Sequence, residues 1–303
     1  MKKVAWPVIV GALALTSMTL AVSQAQEKAA APAEKNRAAR GGGGESPLSG
    51  PRVDVLNMVR PIDIHDTVWI EDMTSVEVRD SIKAGKTTAL IIVGGMEDNG
   101  PYLPVGKHGT VMKIEAEAIA RKLGNALVAP LITTAPGNTE RPGLPGAIVL
   151  SQETYRGVLT DMANSLKADG FKNILFMGDH GPDQPPEIEV SKTLNEKWKG
   201  AGVLFAHIPE YYNYADVQKF ETDVLNIHEK AEGFHDDYYS STIVMTQDVD
   251  HARIPERVKA HKTSINGVEL FPTAKAIADG KKIVDFRADA AVKAIQKLLG
   301  GRS

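Results

Sequence analysis

From residue 87 onward, short unbroken apolar runs alternate with longer stretches whose apolar residues recur every three to four positions. The run TTALIIVGG (87–95) has no polar side chain between Ala89 and Val93, and its β-branched content suits a strand covered on both faces. In the following GTVMKIEAEAIARKLG (109–124), Val111, Ile114, Ala118 and Leu123 fall near helical spacing, and Gly124 is placed to cap the helix end. The same alternation repeats: strand NALVAPLI (125–132), helix SQETYRGVLTDMANSLKADG (151–170) with Ser151 as N-cap, and strand FKNILFMGDHG (171–181). A third helix, PPEIEVSKTLNEKWKGAG (185–202), and a fourth strand, VLFAHIPEYY (203–212), complete it. Regular alternation of this kind predicts an α/β fold, a single layered domain with a mostly parallel sheet flanked by helices. Ligands of such sheets gather beyond the C-terminal strand ends.

That rule singles out two loops. The first, after LIIVGG, carries Glu97 and His108; the second, after NILFMG, carries Asp179, His180 and Asp183. Farther on, EGFHDDYYSSTIVM supplies His235, Asp236 and Asp237 ahead of another apolar helical pattern. A Zn, Mn or Fe ion takes imidazole nitrogen and carboxylate oxygen and leaves a position open for water. Glu97, His108 and His180 form one such candidate set. Each residue also has a plainer reading: Glu97 as a turn residue, His108 as the polar start of a helix, His180 as a partner of its own loop, and Asp236 or Asp237 as a helix cap. His207, on an apolar strand, reads as a core histidine with a hydrogen-bond partner. No GxGxxG or Walker spacing is present, so a nucleotide cradle is not expected.

Composition narrows the chemistry further. The 303 residues contain no cysteine, so any metal is held by His, Asp or Glu. A net charge of −3 offers no basic surface for nucleic acid. At the N-terminus, Lys2 and Lys3 precede an apolar run from Val4 to about Val22, followed by small residues at Ser23 and Ala25. That order reads as a signal peptide over 1–25, giving a periplasmic or secreted protein with no membrane attachment after cleavage. The rival reading is an uncleaved anchor, since the run approaches the roughly 18 residues a span needs. Residues 26–52, rich in Ala, Gly, Pro and charge, read as a flexible low-complexity tether leading to a domain over 53–303.

Four stretches, in order, resemble the creatininase family of metal-dependent amidohydrolases: VGGMEDNGPYLPVGKH (93–108), GNTERPGLPGAIVLSQET (137–154), DGFKNILFMGDHGPDQ (169–184) and GFHDDYYSST (233–242). The closing NGVELFPTAKAIADGKKIVDF is also similar, and together the resemblance spans about residues 66–299. It implies one or two divalent ions, a small-molecule amide substrate and a homo-oligomer. In the family, a loop of the form E-Q-H-G-P-H-L-P followed by an Asp supplies ligands, and an N-G-H-G-G-N-like loop adds a histidine. Matched position by position, the glutamate falls on Glu97 and the later histidine on His180. The first loop's histidine falls on Asn99 and the family's Asp on His108, while Pro182 replaces a glycine. A histidine often found before the family's F-P-G-T stretch falls on Arg141. The late H-A-G-x-x-E-T-S motif keeps its histidine as His235 but not its glutamate.

The resemblance therefore implies a hydrolase of a small cyclic or linear amide with an altered ligand set. In it Glu97, His108 and His180 bind metal, His235, Asp183 or Asp237 carries the proton, and Arg141 and Asn99 contact substrate. The alternatives are a member that has kept the fold and lost catalysis, binding a small molecule or serving as a scaffold, and a cofactor enzyme on the same layered sheet.

Overall fold

The computed structural model of the chain describes residues 54–141 and 143–301. The expected signal peptide and tether lie outside these residues. No described helix is long and apolar enough to cross a membrane.

A four-stranded sheet forms the centre: β1 (Thr88–Val93), β2 (Ala126–Val128), β3 (Asn173–Gly178) and β4 (Leu204–His207). All neighbours are parallel, in the order β2-β1-β3-β4. The chain thus leaves β1 toward one side of the sheet to make β2 and returns to the other side to make β3. The gap between the C-terminal ends of β1 and β3 is the topological switch point, where a crevice opens because successive crossovers diverge. The second and fourth strands are shorter than their apolar runs. Pro130 follows β2 closely and supplies no ladder N–H, and Ile132 rejoins the sheet through one bridge to Val93.

The period-2 geometry of β1 divides its fully buried residues between two cores. Ala89, Ile91 and Val93 pack with Tyr155, Leu159, Ala163 and Leu166 of α3 (Gln152–Asp169) and with Val190 and Leu194 of α4 (Gln184–Lys197). Leu90 and Ile92 face Met112, Ala116 and Ile119 of α2 (Lys107–Leu123) and Ala288, Ala291 and Ile295 of α8 (Thr273–Gly300). Each large aliphatic side chain buried this way contributes about 1.5–3 kcal/mol, which is why the least polar run becomes the central strand. A third core joins α2 and α8 to α6 (Tyr238–Met245), through Val111, Ile243, Val244 and Ile283. The described α-helices and strands are completed by α1 (Ser75–Lys83), α5 (Tyr214–Asp223), α7 (Ile254–Lys259) and the hairpin β5 (Ser264–Ile265) and β6 (Val268–Glu269).

Local signals act where expected. Gly124 ends α2 in the left-handed conformation at φ 74°, and the Ser151 hydroxyl accepts from Thr154 N to start α3. The N-terminus of α2 lies two residues earlier than the apolar pattern predicts, so Lys107 and His108 occupy its first turn.

Candidate metal centre

Three segments deliver the site to the switch point: the β1–α2 loop with the first turn of α2, the β3–α4 loop, and the loop before α6. Ligand atoms of Glu97, His108 and His235 all lie within 4.8 Å of one another. The Glu97 carboxylate is the hub. Its Oε1 meets His108 Nε2 and stands 3.6 Å from His235 Nε2, while Oε2 is 3.0 Å from His180 Nε2. His180 is therefore held by the opposite oxygen of the same carboxylate, with its ring centroid 6.3 Å from that of His108.

Close backbone approach makes this convergence possible. Gly94, at the end of β1, faces the N-terminus of α2, where an added Cβ would lie 2.6 Å from Gly109 Cα. Gly178, at the end of β3, does the same for the other loop: a Cβ there would meet Asp183 Cβ at 2.5 Å. Neither contact has a flexible atom that can rotate away, so glycine is required for His108 and Asp183 to come in so close.

Two of the imidazoles, His108 and His180, have a carboxylate behind them. His108 Nδ1 is 2.7 Å from Asp179 Oδ2, and Asp179 Oδ1 accepts from Arg287 at 2.7 Å. Arg287 in turn faces Glu115 Oε1 at 3.2 Å. On the other side, His180 Nδ1 faces Asp183 at 3.8 Å, too far for a direct hydrogen bond. Asp183 lies beside Glu187, and Glu187 meets His207 Nδ1 at 2.8 Å and accepts from the Tyr155 hydroxyl at 3.4 Å. His207 is thus the hydrogen-bonded inner histidine its strand position predicts.

The charges follow from these neighbours. Burial opposes a charged His108, but Asp179 and Glu97 outweigh it and raise the imidazole to about 9. His180 is likewise raised to about 9 against burial, by Asp183 and Glu97. Desolvation works against the Glu97 carboxylate, yet the hydrogen bonds from His108 and His180 hold it well below the usual range. His235 is lowered, by its partial burial and by the Lys107 ammonium. Lys107, itself buried, donates to the His235 carbonyl and so ties α2 to that loop. Burial pushes Asp183 up to about 6, and burial beside Asp183 pushes Glu187 well up.

The residues fit a divalent ion. Two imidazoles and a carboxylate are the donor types such an ion takes, and the Asp183 oxygens and His180 Nδ1 are buried without a hydrogen-bond partner among the described residues. His235, with 57% of its side chain exposed, leaves the cluster open to solvent.

The remaining candidates sit as follows. Asp237 accepts from Ser240 N at 2.8 Å as the N-cap of α6, so its carboxylate is committed to the helix start. Asp236 is buried and accepts from the amides of Gly100, Tyr102 and Leu103, fixing the β1–α2 loop. Asn99 donates to the carbonyls of Pro104 and Val105 within the same loop. Arg141 is exposed on the 137–150 loop, which reaches the β1–α2 loop where Leu144 N donates to Asp98 Oδ1 at 2.8 Å. Asp183 is near the centre but behind His180 rather than open to solvent.

Pattern reading missed Glu115 and Arg287, although each left a trace. Glu115 follows Val111 by four positions on the buried face of α2, and Arg287 lies between Ile283 and Ala291 on that of α8. A charged residue in register with an apolar stripe signals a buried ion pair. Tyr212 was missed as well; its hydroxyl lies 3.5 Å from where a Cβ of Gly181 would stand, beside His180.

The sequence matches the family model described as "Creatininase: Creatinine amidohydrolase" over residues 71–295. No curated protein matches it. Among solved structures it is similar to a glutamate-to-glutamine variant of creatininase of Zn-Zn type, with 15% identity and a TM-score of 0.56 over 78% of this chain and 99% of that one. A structure described as creatininase Mn gives 15% identity and 0.54 over 78% and 98%. A protein of Bacteroides fragilis NCTC 9343 assigned as a creatinine amidohydrolase gives 14% and 0.54 over 77% and 98%. These likenesses show the shared fold, and the family match spans the sheet and all three segments that build the centre: the chain belongs to the creatininase family.

Proposed function

We propose that the protein is a metal-dependent amidohydrolase of a small cyclic or linear amide, working through a rearranged ligand set. The observation that carries this reading is the convergence of Glu97, His108 and His235 within 4.8 Å at the β1/β3 switch point. Family membership supports the reaction class. In this reading Glu97, His108 and His235 hold one divalent ion, with His180 completing the set from the second Glu97 oxygen, and His235 passes from proton carrier to ligand. His108 takes the place where the family has an Asp, supplying a nitrogen donor, and Asn99 serves to brace the loop. The ion, Zn or Mn as in the structural relatives, or Fe, would acidify water and polarise a carbonyl.

The chain's own groups supply the rest. Buried Asp183, 3.8 Å behind His180 Nδ1, would steady that imidazole by its charge rather than by a direct hydrogen bond. The Tyr212 phenol, raised by burial and by the surrounding carboxylates, stays protonated and can donate to a substrate oxygen. Arg141 on the neighbouring loop would meet an anionic or carbonyl group of the substrate. The signal-like order of residues 1–25 supports a periplasmic or secreted setting for this chemistry.

One observation favours a second reading, a family member without catalysis. Both ring nitrogens of His108 already face carboxylates, a self-sufficient charge network. Elemental analysis of the full chain beside Glu97→Ala and His235→Ala separates the two. About one Zn, Mn or Fe per chain, as expected of a site that keeps one position for water, absent from both variants, followed by hydrolysis in a screen of small amides, supports the hydrolase. A wild type that holds no metal even after reconstitution would leave the binding or scaffold reading.

A further inference from the structure

His108 can serve a metal through Nε2 only if its ring is held in one orientation with a proton on Nδ1. The group that holds it is Asp179, whose two oxygens are divided: Oδ2 meets His108 Nδ1 at 2.7 Å and Oδ1 accepts from Arg287 Nη2 at 2.7 Å. Asp179 is buried, so an oxygen without a donor there is costly, and the carboxylate keeps its orientation only while both partners are present.

Arg287 is itself held from several sides, chiefly through Nη2. It comes from the middle of α8 and is 3% exposed. Its Nη2 also donates to the Tyr211 carbonyl at 3.3 Å, Nη1 faces Glu115 Oε1 at 3.2 Å, and its plane lies over the rings of Tyr211 and Tyr239 with centroids at 4.6 and 5.5 Å. Glu115 stands on α2, the helix that carries His108 in its first turn. The guanidinium therefore bridges α8, α2 and the β3–α4 loop. A planar, always-charged fork suits this task, since it can serve two carboxylates and a carbonyl at once.

We propose that Arg287 is a positioning residue of the metal centre: by clamping Asp179 it orients His108, so that the C-terminal helix sets the affinity for the ion. The proposal rests on the metal reading given above. It distinguishes Arg287 from a buried ion pair that serves only packing, because a packing role would cost stability without acting through Asp179.

The test is a set of Zn²⁺ and Mn²⁺ dissociation constants, measured by competition with a chromophoric chelator. The proteins are the full-length wild type, R287M, R287K, D179N and the R287M/D179N double variant, each checked for folding by circular dichroism. R287M is expected to bind about tenfold to hundredfold more weakly, the range for loss of an outer-shell partner. R287K, which keeps a charge and loses the fork, should recover part of this. Because Arg287 acts through Asp179, the double variant should bind no more weakly than D179N alone. Wild-type affinity in folded R287M, or losses that add in the double variant, would overturn the proposal while leaving the metal reading intact. Should R287M not fold, wild-type affinity in R287K would overturn it equally. A wild type that binds neither ion would overturn the metal reading and this inference together.

Discussion

Gly94→Ala puts one methyl group into a close backbone contact of the centre. Its Cβ would stand 2.6 Å from Gly109 Cα, 2.7 Å from Gly109 N and 3.2 Å from the His108 carbonyl carbon. All three are backbone atoms, so no rotamer change relieves the clash; reaching ordinary contact at about 3.4 Å requires the end of β1 and the start of α2 to part by about 0.8 Å. Metal ligands tolerate displacements of only about 0.2 Å, so a shift several times larger at the residue next to His108 should cost at least about tenfold in metal affinity. The accompanying overpacking should destabilise the fold by about 1–3 kcal/mol. Gly109→Ala is the matched control, because its Cβ meets only the rotatable Leu131 Cδ2, at 3.3 Å, and Ala is the better helix former. Urea unfolding followed by circular dichroism gives the stability, and chelator competition gives the affinity. If Gly94→Ala unfolds within about 0.5 kcal/mol of wild type and binds metal equally well, the close-approach reasoning is wrong.

Two further outcomes are expected. Asp236→Ala removes the acceptor of three amides in the β1–α2 loop, two at 3.2 Å and one at 3.0 Å, and should cost about 2–3 kcal/mol in a urea titration; a loss under about 0.5 kcal/mol would mean that the loop holds itself. Loading the ion should release protons, because His108 and His180, both raised to about 9, carry imidazolium protons at pH 7 that a metal must displace, whereas His235 is lowered and carries none. Affinity should therefore rise with pH up to about 9 and level off above it. Calorimetry at pH 7 in two buffers of different ionisation enthalpy counts these protons: about two if both histidines become ligands, about one if only His108 does, and none if the ligand reading fails.

The fold was legible because its signals are local. Five consecutive apolar residues at Ala89–Val93, an αL glycine at 124 and a capping serine at 151 each dictate a conformation without knowledge of distant contacts. The loops at the strand ends were legible for the same reason, since the layered sheet places them together whatever their sequence. Within those loops the roles of individual side chains were not. Asp236 and Asp237 are neighbours of the same type, yet one anchors a loop more than 130 residues away and the other caps the helix that follows it. His235 and His180 carry the same imidazole, and only the direction from which each reaches Glu97 decides which joins His108 in the compact group.

By itself, the amino-acid order determined the alternation of strands and helices, the parallel sheet, the family, and the confinement of candidate ligands to Glu97, the histidines and nearby acids. The family rests on the resemblance of particular motif stretches, and the rest on periodicity, on backbone freedom at particular residues and on the absence of cysteine, all of which are written along the chain. Tertiary structure alone decided that Glu97 is the hub of three imidazoles and that Arg287, 108 residues from Asp179, stands behind one of them. Hydrogen bonds and ion pairs act over about 3 Å, and at that range proximity is set by how the helices pack on the sheet rather than by spacing in the sequence.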